Sequence, residues 1–322
     1  MVLLLVFLFL LSPGVVFSEN LEARFLVVTS PVADIRKEPL DKKPGYNHDN
    51  LQNTQAIFNE ALLYGFSKGD WYYVEAVEQK EFTHNNKWQG YPGYIRKEKV
   101  RFIGNLPEYD LVVNVGATNI LNEPSQSAQA LFRVSLGTKF KMTGVREDFY
   151  EVEIGEAGHG WVNEKDVRRI DDSRDENNIR EGLVKTARLF LGSPYLWGGR
   201  GLAGGIDCSG LTNLVYRASG IDIPRDAQEQ WMLAERISDT ELRPADLIFL
   251  SGKKGFDSIV HVMFFTGGED FIEAPGTGKT VCAGNFKTKF GMNLESLKKK
   301  NFIADGKKIY FGRVKALDRK EK

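Results

Sequence analysis

Between residues 21 and 170 the sequence repeats its own punctuation, and that repeat restricts the amino-terminal half to small all-β units. Val32-Ala33-Asp34-Ile35-Arg36-Lys37-Glu38-Pro39 is echoed by Ala117-Thr118-Asn119-Ile120-Leu121-Asn122-Glu123-Pro124. Gln55-Ala56-Ile57-Phe58 returns as Gln129-Ala130-Leu131-Phe132, and Asp70-Trp71-Tyr72-Tyr73-Val74 as Asp148-Phe149-Tyr150-Glu151-Val152. The turn at Gly90-Tyr91-Pro92-Gly93-Tyr94-Ile95 is matched by Gly158-His159-Gly160-Trp161-Val162. Short β-branched and aromatic runs between turn residues read as strands. The same signals in the same order imply duplicated small barrels, residues 21–104 and 108–170. The acidic stretch 171–178 reads as a solvated linker whose Ser or Asp residues can cap the next helix.

Ahead of the repeat, residues 2–11 are an almost unbroken run of Leu, Val and Phe, interrupted by Ser12-Pro13-Gly14. Small Ser18 then precedes the polar Glu19-Asn20. A short apolar core with a small residue at the cut reads as a signal peptide over residues 1–18. The alternative is a retained anchor, but spanning a bilayer takes about 20 uninterrupted apolar residues. The expected location is the periplasm, the cell envelope or the medium, with no stable membrane insertion after cleavage. The 43 Lys and Arg balance 43 Asp and Glu, which excludes the basic footprint of a nucleic-acid binder. Two cysteines are too few for a disulfide scaffold or a zinc cluster, and neither a metal nor a cofactor is expected.

The carboxy-terminal half carries the chemistry. Apolar residues at Ile179, Leu183, Ala187, Phe190 and Leu191 predict a helix, stopped by Gly192-Ser193-Pro194. A glycine-rich loop over residues 198–205 leads to Ile206-Asp207-Cys208-Ser209-Gly210-Leu211, and Leu211, Leu214, Val215 and Ala218 continue with helical spacing. Cys208 therefore starts a helix, where unpaired N–H groups and the helix dipole favour a thiolate nucleophile. Of four histidines, His48 and His84 lie in polar loops and His159 in a barrel turn, so surface roles are expected for them. His261 is left as the base, on the strand Ser258-Ile259-Val260-His261-Val262-Met263-Phe264-Phe265. A turn at Thr266-Gly267-Gly268-Glu269-Asp270 and a second strand, Phe271-Ile272-Glu273-Ala274, complete a hairpin. His261 and Glu273 are twelve residues apart; an even separation puts both side chains on one face, opposite or diagonal. Glu273 can then accept the imidazole N–H and orient the ring toward Cys208. Cys282 reads as a structural strand residue.

The segments Pro194-Tyr195-Leu196-Trp197-Gly198-Gly199, Asp207-Cys208-Ser209-Gly210-Leu211, Pro224-Arg225-Asp226-Ala227-Gln228-Glu229-Gln230 and Pro244-Ala245-Asp246-Leu247, with the His261 strand, follow one order. In that order they resemble the catalytic domain of NlpC/p60-type cell-wall cysteine peptidases over residues 179–317. The two preceding units resemble bacterial SH3-like domains. The resemblance implies an α+β fold, with a papain-like NlpC catalytic domain behind two SH3-like barrels. It also implies roles: Cys208 the nucleophile, His261 the base and Glu273 at the third polar position, where many relatives carry histidine. Tyr195 would join the Cys208 N–H in stabilising the oxyanion. Asp207 would hold the free amine of an N-terminal L-Ala, Ser209 would contact the peptide and Asp226 would line the D-Glu pocket. Glu60 and Tyr91 (or Tyr94) of the first barrel would close around the amine. The chain is thus similar to γ-D-glutamyl-L-diamino-acid endopeptidases. The expected substrates are murein peptides or peptidoglycan, above all free L-Ala-γ-D-Glu-diaminopimelate peptides from turnover. Two rival readings are a wall-binding protein with a silent catalytic domain, and an amidase or acyltransferase on the same fold.

Overall fold

The computed structural model describes residues 25–42, 48–155, 158–171 and 175–317; the expected signal peptide and part of the acidic linker lie outside them. The first β-unit is a single antiparallel sheet of β1 (Phe25–Val28), β2 (Val32–Arg36), β3 (Gln52–Ile57), β4 (Ala61–Lys68), β5 (Trp71–Glu81), β6 (Gln89–Arg96) and β7 (Val100–Ile103). These pair in the order β3-β2-β6-β5-β4-β1-β7. The second unit contains β8 (Leu111–Val113), β9 (Ala117–Leu121), β10 (Ala130–Ser135), β11 (Lys139–Phe140), β12 (Met142–Arg146), β13 (Phe149–Glu153), β14 (His159–Asn163) and β15 (Val167–Arg169). Its two sheets run β10-β9-β14-β13-β12 and β11-β8-β15.

Joined at the break between β11 and β12, these two orders reproduce that of the first unit. In the first unit β4 turns the corner alone, pairing β1 through Ala61 to Leu63 and β5 out to Lys68, with a bulge between Tyr64 and Phe66. In the second unit the same corner interrupts the strand at Lys141. The repeated sequence punctuation therefore corresponds to a repeated pairing scheme, and the all-β half fits SH3-like domains.

The α+β half begins with α1 (Glu176–Arg188), capped by Asp175, whose carboxylate accepts from the Asn178 N–H at 3.1 Å. A short ribbon of β16 (Arg200–Gly201) and β17 (Gly205–Ile206) leads into α2 (Cys208–Arg217), and α3 (Ala227–Leu233) follows. The sheet comprises β18 (Glu235–Ile237), β19 (Leu247–Ser251), β20 (Ile259–Gly267), β21 (Asp270–Glu273), β22 (Cys282–Asn285), β23 (Ile303–Ala304) and β24 (Lys307–Arg313), with α4 (Phe286–Phe290) and α5 (Leu294–Lys299) inserted after β22. Its order is β18-β24-β19-β20-β21-β22, with β23 on β24. On β20, Val262 and Phe264 face the core shared with Leu211, Leu214 and Val215 of α2. Met263 and Phe265 face the core shared with Phe286 and Leu297. Both faces are covered along residues 262–265, so this part of the strand is an unbroken apolar run.

Buried charge joins the three units. Glu78 of β5 accepts from Lys139 of β11 and from Arg217 of α2, each at 2.9 Å. Asp222 meets the same two cations at 2.6 and 3.1 Å. Burial works against the charge on Glu78, but Arg217 and Lys139 outweigh it and hold the carboxyl at about 2.

Candidate active site

Cys208 is the first residue of α2, and the residues before it form its support. Asp207 caps the helix: one carboxylate oxygen accepts from the Gly210 N–H at 2.6 Å and the other from the Gly198 N–H at 2.8 Å. Tyr195 pairs in parallel with Ile206, and the Ile206 N–H donates to the Pro194 carbonyl at 3.0 Å. This binds the Tyr195 segment to the strand that delivers the cysteine. Side chains are excluded where these segments meet: a Cβ on Gly210 would lie 2.4 Å from the Gly199 carbonyl oxygen. Gly198 has φ +69°, and a Cβ there would lie 2.8 Å from Gln52 Cγ and 2.9 Å from the Asn53 carbonyl oxygen of the first barrel. The half-buried thiol thus lies at a helix start, beside N–H groups without intrahelical acceptors.

Strand β20 packs against α2 and places His261 beside Cys208, close enough for the two to act on each other electrostatically. Nε2 of His261 lies 2.7 Å from Oε2 of Glu273, which leaves Nδ1 as the ring nitrogen available to the cysteine. Phe264 pairs with Ile272; continuing that register places Glu273 opposite Met263, diagonal to His261. Burial opposes a charged imidazole, but the Cys208 thiolate and then the Glu273 carboxylate outweigh it and lift His261 to about 9. Burial likewise pushes Glu273 up, and His261 and Lys289 together hold it below the ordinary carboxylate value. Lys289 was not singled out in the sequence; its Nζ lies 2.6 Å from each Glu273 oxygen.

The thiol opens into a cleft of about 490 Å³ shared by the catalytic unit and the first barrel. The catalytic wall carries Tyr195, Asp207, Ser209 and Asp226; the barrel contributes Gln52, Asn53, His84 and Tyr91. Burial and the neighbouring thiolate raise the Tyr195 phenol well above its ordinary value, so it stays a hydrogen-bond donor. The Tyr91 hydroxyl donates to Asp226 at 2.8 Å. Tyr94 packs instead with Tyr73 and Phe66 on another face, so Tyr91 is the cleft residue of the two candidates. Burial lifts Asp226 to about 6, with Arg225 pulling it down and Asp207 pushing it up.

One expected site residue is corrected. Glu60 is fully buried and does not line the cleft. Its carboxylate accepts from Arg200 Nη1 at 2.7 and 3.0 Å, from Gln79 at 3.1 Å and from the Ile57 N–H at 2.9 Å. It follows the tight turn after β3, which aims its side chain into the domain junction.

Asp207 is less available than the sequence suggests: Arg225 spans both its oxygens at 3.0 and 2.8 Å, and also donates to Ser209 Oγ at 2.9 Å. Arg225 stands in the Pro-Arg-Asp segment, which was the available signal for it. His84 and His48 depart from the expected plain surface roles, because the loops of the first barrel fold over the cleft. His84 lines it, 2.9 Å from Glu81, and the His48 ring packs 5.2 Å from that of Trp197. His159 is exposed on β14. Cys282 is an exposed free thiol on β22, in register with Glu273. Among the described residues no cluster of three or more His, Cys, Asp or Glu side chains is suited to hold a metal ion.

The stretch that builds this thiol–imidazole–carboxylate line, residues 192–294, matches the model of the NlpC/P60 family. The chain carries an NlpC/P60 domain. That domain is a cysteine peptidase. Similarity extends beyond the NlpC/P60 match. The chain is 27% identical over 245 residues to a gamma-D-glutamyl-L-lysine dipeptidyl-peptidase of Bacillus subtilis (strain 168), covering 75% of this chain and 78% of that one. A protein of the same name from Bacillus cereus (strain ATCC 10987 / NRS 248) is 28% identical over 250 residues, covering 75% and 73%. In fold, the NlpC/P60 domain and the barrels together resemble the crystal structure of an NlpC/P60 family protein from Bacillus cereus ATCC 10987. That match has a TM-score of 0.69 at 23% identity, over 82% of this chain and 95% of the other.

Proposed function

We propose that this chain is an exported cysteine peptidase that hydrolyses the γ-D-glutamyl–diamino-acid bond of peptidoglycan stem peptides, acting on free peptides that begin with L-Ala. The observation that carries the reading is the two-part cleft: Cys208 on one wall, backed by the His261–Glu273 pair, and an acidic end closed by the first barrel. The Cys208 thiolate adds to the amide carbon, and the carbonyl oxygen becomes an oxyanion facing the Tyr195 hydroxyl and the Cys208 N–H. Imidazolium His261 gives its proton to the departing amine of the diamino acid as the C–N bond breaks. Neutral His261 then takes a proton from water, which adds to the thioester and releases the γ-glutamyl carboxylate and the thiol.

At the closed end, Asp226 offers a carboxylate that an ammonium group can pair with. Glu229 adds a second, fully buried, its Oε1 accepting from the Thr83 N–H at 3.2 Å and its Oε2 unpartnered within the protein. A free amino terminus fits such an end, whereas a peptide linked through that nitrogen has neither the charge nor the room. The names of the two Bacillus relatives support a glutamyl bond to a diamino acid, and the apolar leader supports export.

The test is mass-spectrometric digestion of L-Ala-γ-D-Glu-diaminopimelate and the lysine analogue, each with a free or an acetylated amine, by wild type and Cys208→Ser. Scission after D-Glu by wild type alone is expected, with at least a roughly tenfold preference for the free amine, equivalent to about 1.4 kcal/mol. Because Asp226 titrates at about 6, KM for the free-amine peptide should rise as pH falls below that value and the carboxylate is neutralised. Equal rates on capped and free peptides would remove the amine end. A folded enzyme that spares every glutamyl peptide would remove the whole assignment and favour a wall-binding role.

A further inference from the structure

We propose that Lys289 is a positioning residue for the thiol–imidazole pair: by gripping both oxygens of Glu273, it fixes that carboxylate against His261 and draws part of its charge away from the ring. The inference rests on the peptidase reading of the cleft. Lys289 lies on α4, which begins directly after β22, and β22 pairs with β21, the strand that carries Glu273. The start of α4 is fixed by a reciprocal cap, Asn285 accepting from the Thr288 N–H at 2.8 Å and Thr288 Oγ1 from the Asn285 N–H at 3.1 Å. Phe286 anchors the same turn in the core. The ammonium is therefore delivered to Glu273 by a structured element.

The contact differs from a surface ion pair, which contributes little. Glu273 is 7% exposed, and Lys289 reaches both its oxygens at 2.6 Å while His261 takes Oε2 at 2.7 Å. One oxygen is thus shared between a lysine and the imidazole. The groups facing this line are Cys208 and Glu273 on the His261 side, and Lys289 with the Cys282 thiol on the Glu273 side. A carboxylate held by His261 alone could turn its other oxygen away. It would also hold the imidazolium proton more tightly and slow its transfer to the leaving amine. Lys289 counters both effects without touching substrate.

The experiment uses the full chain with Lys289→Met, Lys289→Gln and Lys289→Arg. One readout is the pH profile of kcat and KM on L-Ala-γ-D-Glu-diaminopimelate. The other needs no substrate: the titration of His261 followed by NMR of labelled imidazoles. Lys289→Met should lower kcat about tenfold with KM little changed. It should also move both the His261 midpoint and the alkaline limb of kcat to higher pH, because the ring then feels the whole carboxylate charge. Lys289→Gln keeps a hydrogen bond without charge, so the midpoint should still rise while kcat falls less. Lys289→Arg should restore both. An unmoved His261 midpoint overturns the inference, as does a loss of kcat that Lys289→Arg fails to repair. A midpoint that moves as stated in an enzyme inert toward every glutamyl peptide would sustain the role of Lys289 and remove the substrate assignment instead.

Discussion

Replacing Glu60 with alanine should damage stability far more than selectivity. The carboxylate is fully buried and receives two contacts from Arg200, one from Gln79 and one from the Ile57 N–H. Arg200 is itself buried, and its other partners are the Gln55 carbonyl at 3.0 Å and Asn213 Oδ1 at 3.2 Å, both neutral. Burial already depresses the Arg200 guanidinium; Glu60 is the largest opposing influence, while the charges of Arg217 and Arg225 add to the depression. Without Glu60 a buried cation near two others loses this carboxylate. Breaking a buried pair in this way costs about 3–5 kcal/mol. At about 2–4 °C per kcal/mol, the melting temperature should fall by roughly 6–20 °C. Thermal unfolding by circular dichroism measures this, with kcat/KM on free and N-acetylated peptide determined well below the transition. The double variant Glu60→Ala/Arg200→Met, which removes the stranded charge, should recover most of the loss. A melting temperature within about 2 °C of wild type, together with a raised KM for the free-amine peptide only, would refute the reasoning and return Glu60 to the cleft.

Two further outcomes follow from the thiol–imidazole line. Glu273→Gln should lower turnover by about 10- to 100-fold, or about 1.4–2.8 kcal/mol. His261 titrates at about 9 with the carboxylate present; without it the imidazolium loses its proton at lower pH. The alkaline limb of the pH–rate profile should therefore move down, opposite in sign to Lys289→Met, and an unmoved limb would take Glu273 out of its orienting role. Tyr195→Phe removes one oxyanion donor and should cost roughly 100-fold in kcat with little change in KM. An effect confined to KM would show that the phenol contacts substrate rather than the oxyanion.

The parts of the fold and site that depend on local pattern were legible in the sequence. The duplicated turn signals match a duplicated pairing order. The helix start at Cys208 follows from 3.6-residue spacing behind a glycine loop, and the His261–Glu273 contact follows from hairpin parity. What could not be read depends on packing between distant segments. Lys289 reaches Glu273 because α4 folds back beside β21, and nothing in Phe286-Lys287-Thr288-Lys289-Phe290 marks one lysine over the other. Glu60 and Tyr91 both come from the first barrel, yet only Tyr91 faces the cleft. A turn residue between two strands has no periodicity from which its direction can be taken. Asp207 was read as a free ligand because its partner, Arg225, lies eighteen residues away.

The junction cluster of Glu78, Lys139, Arg217 and Asp222 bears on how such a protein could be rebuilt. One residue comes from the first barrel, one from the second and two from the catalytic unit, so neither barrel carries the counter-charge of its own member, and Arg217 has only Asp222 within its unit. Moving the first barrel alone onto another catalytic domain would carry Glu78 into a junction lacking Arg217, and would leave Arg217 behind with Asp222 alone. Screening by salt barely reaches Lys139 and Arg217, which are 7% and 2% exposed, so their mismatch would be relieved little by the medium. Although written as three units in line, the chain therefore has one exchangeable part: both barrels with the face of α2 they rest on. A recombinant library cut at the linkers would lose most of its members to folding failure, while one that transplants these four side chains together would keep the cleft assembled.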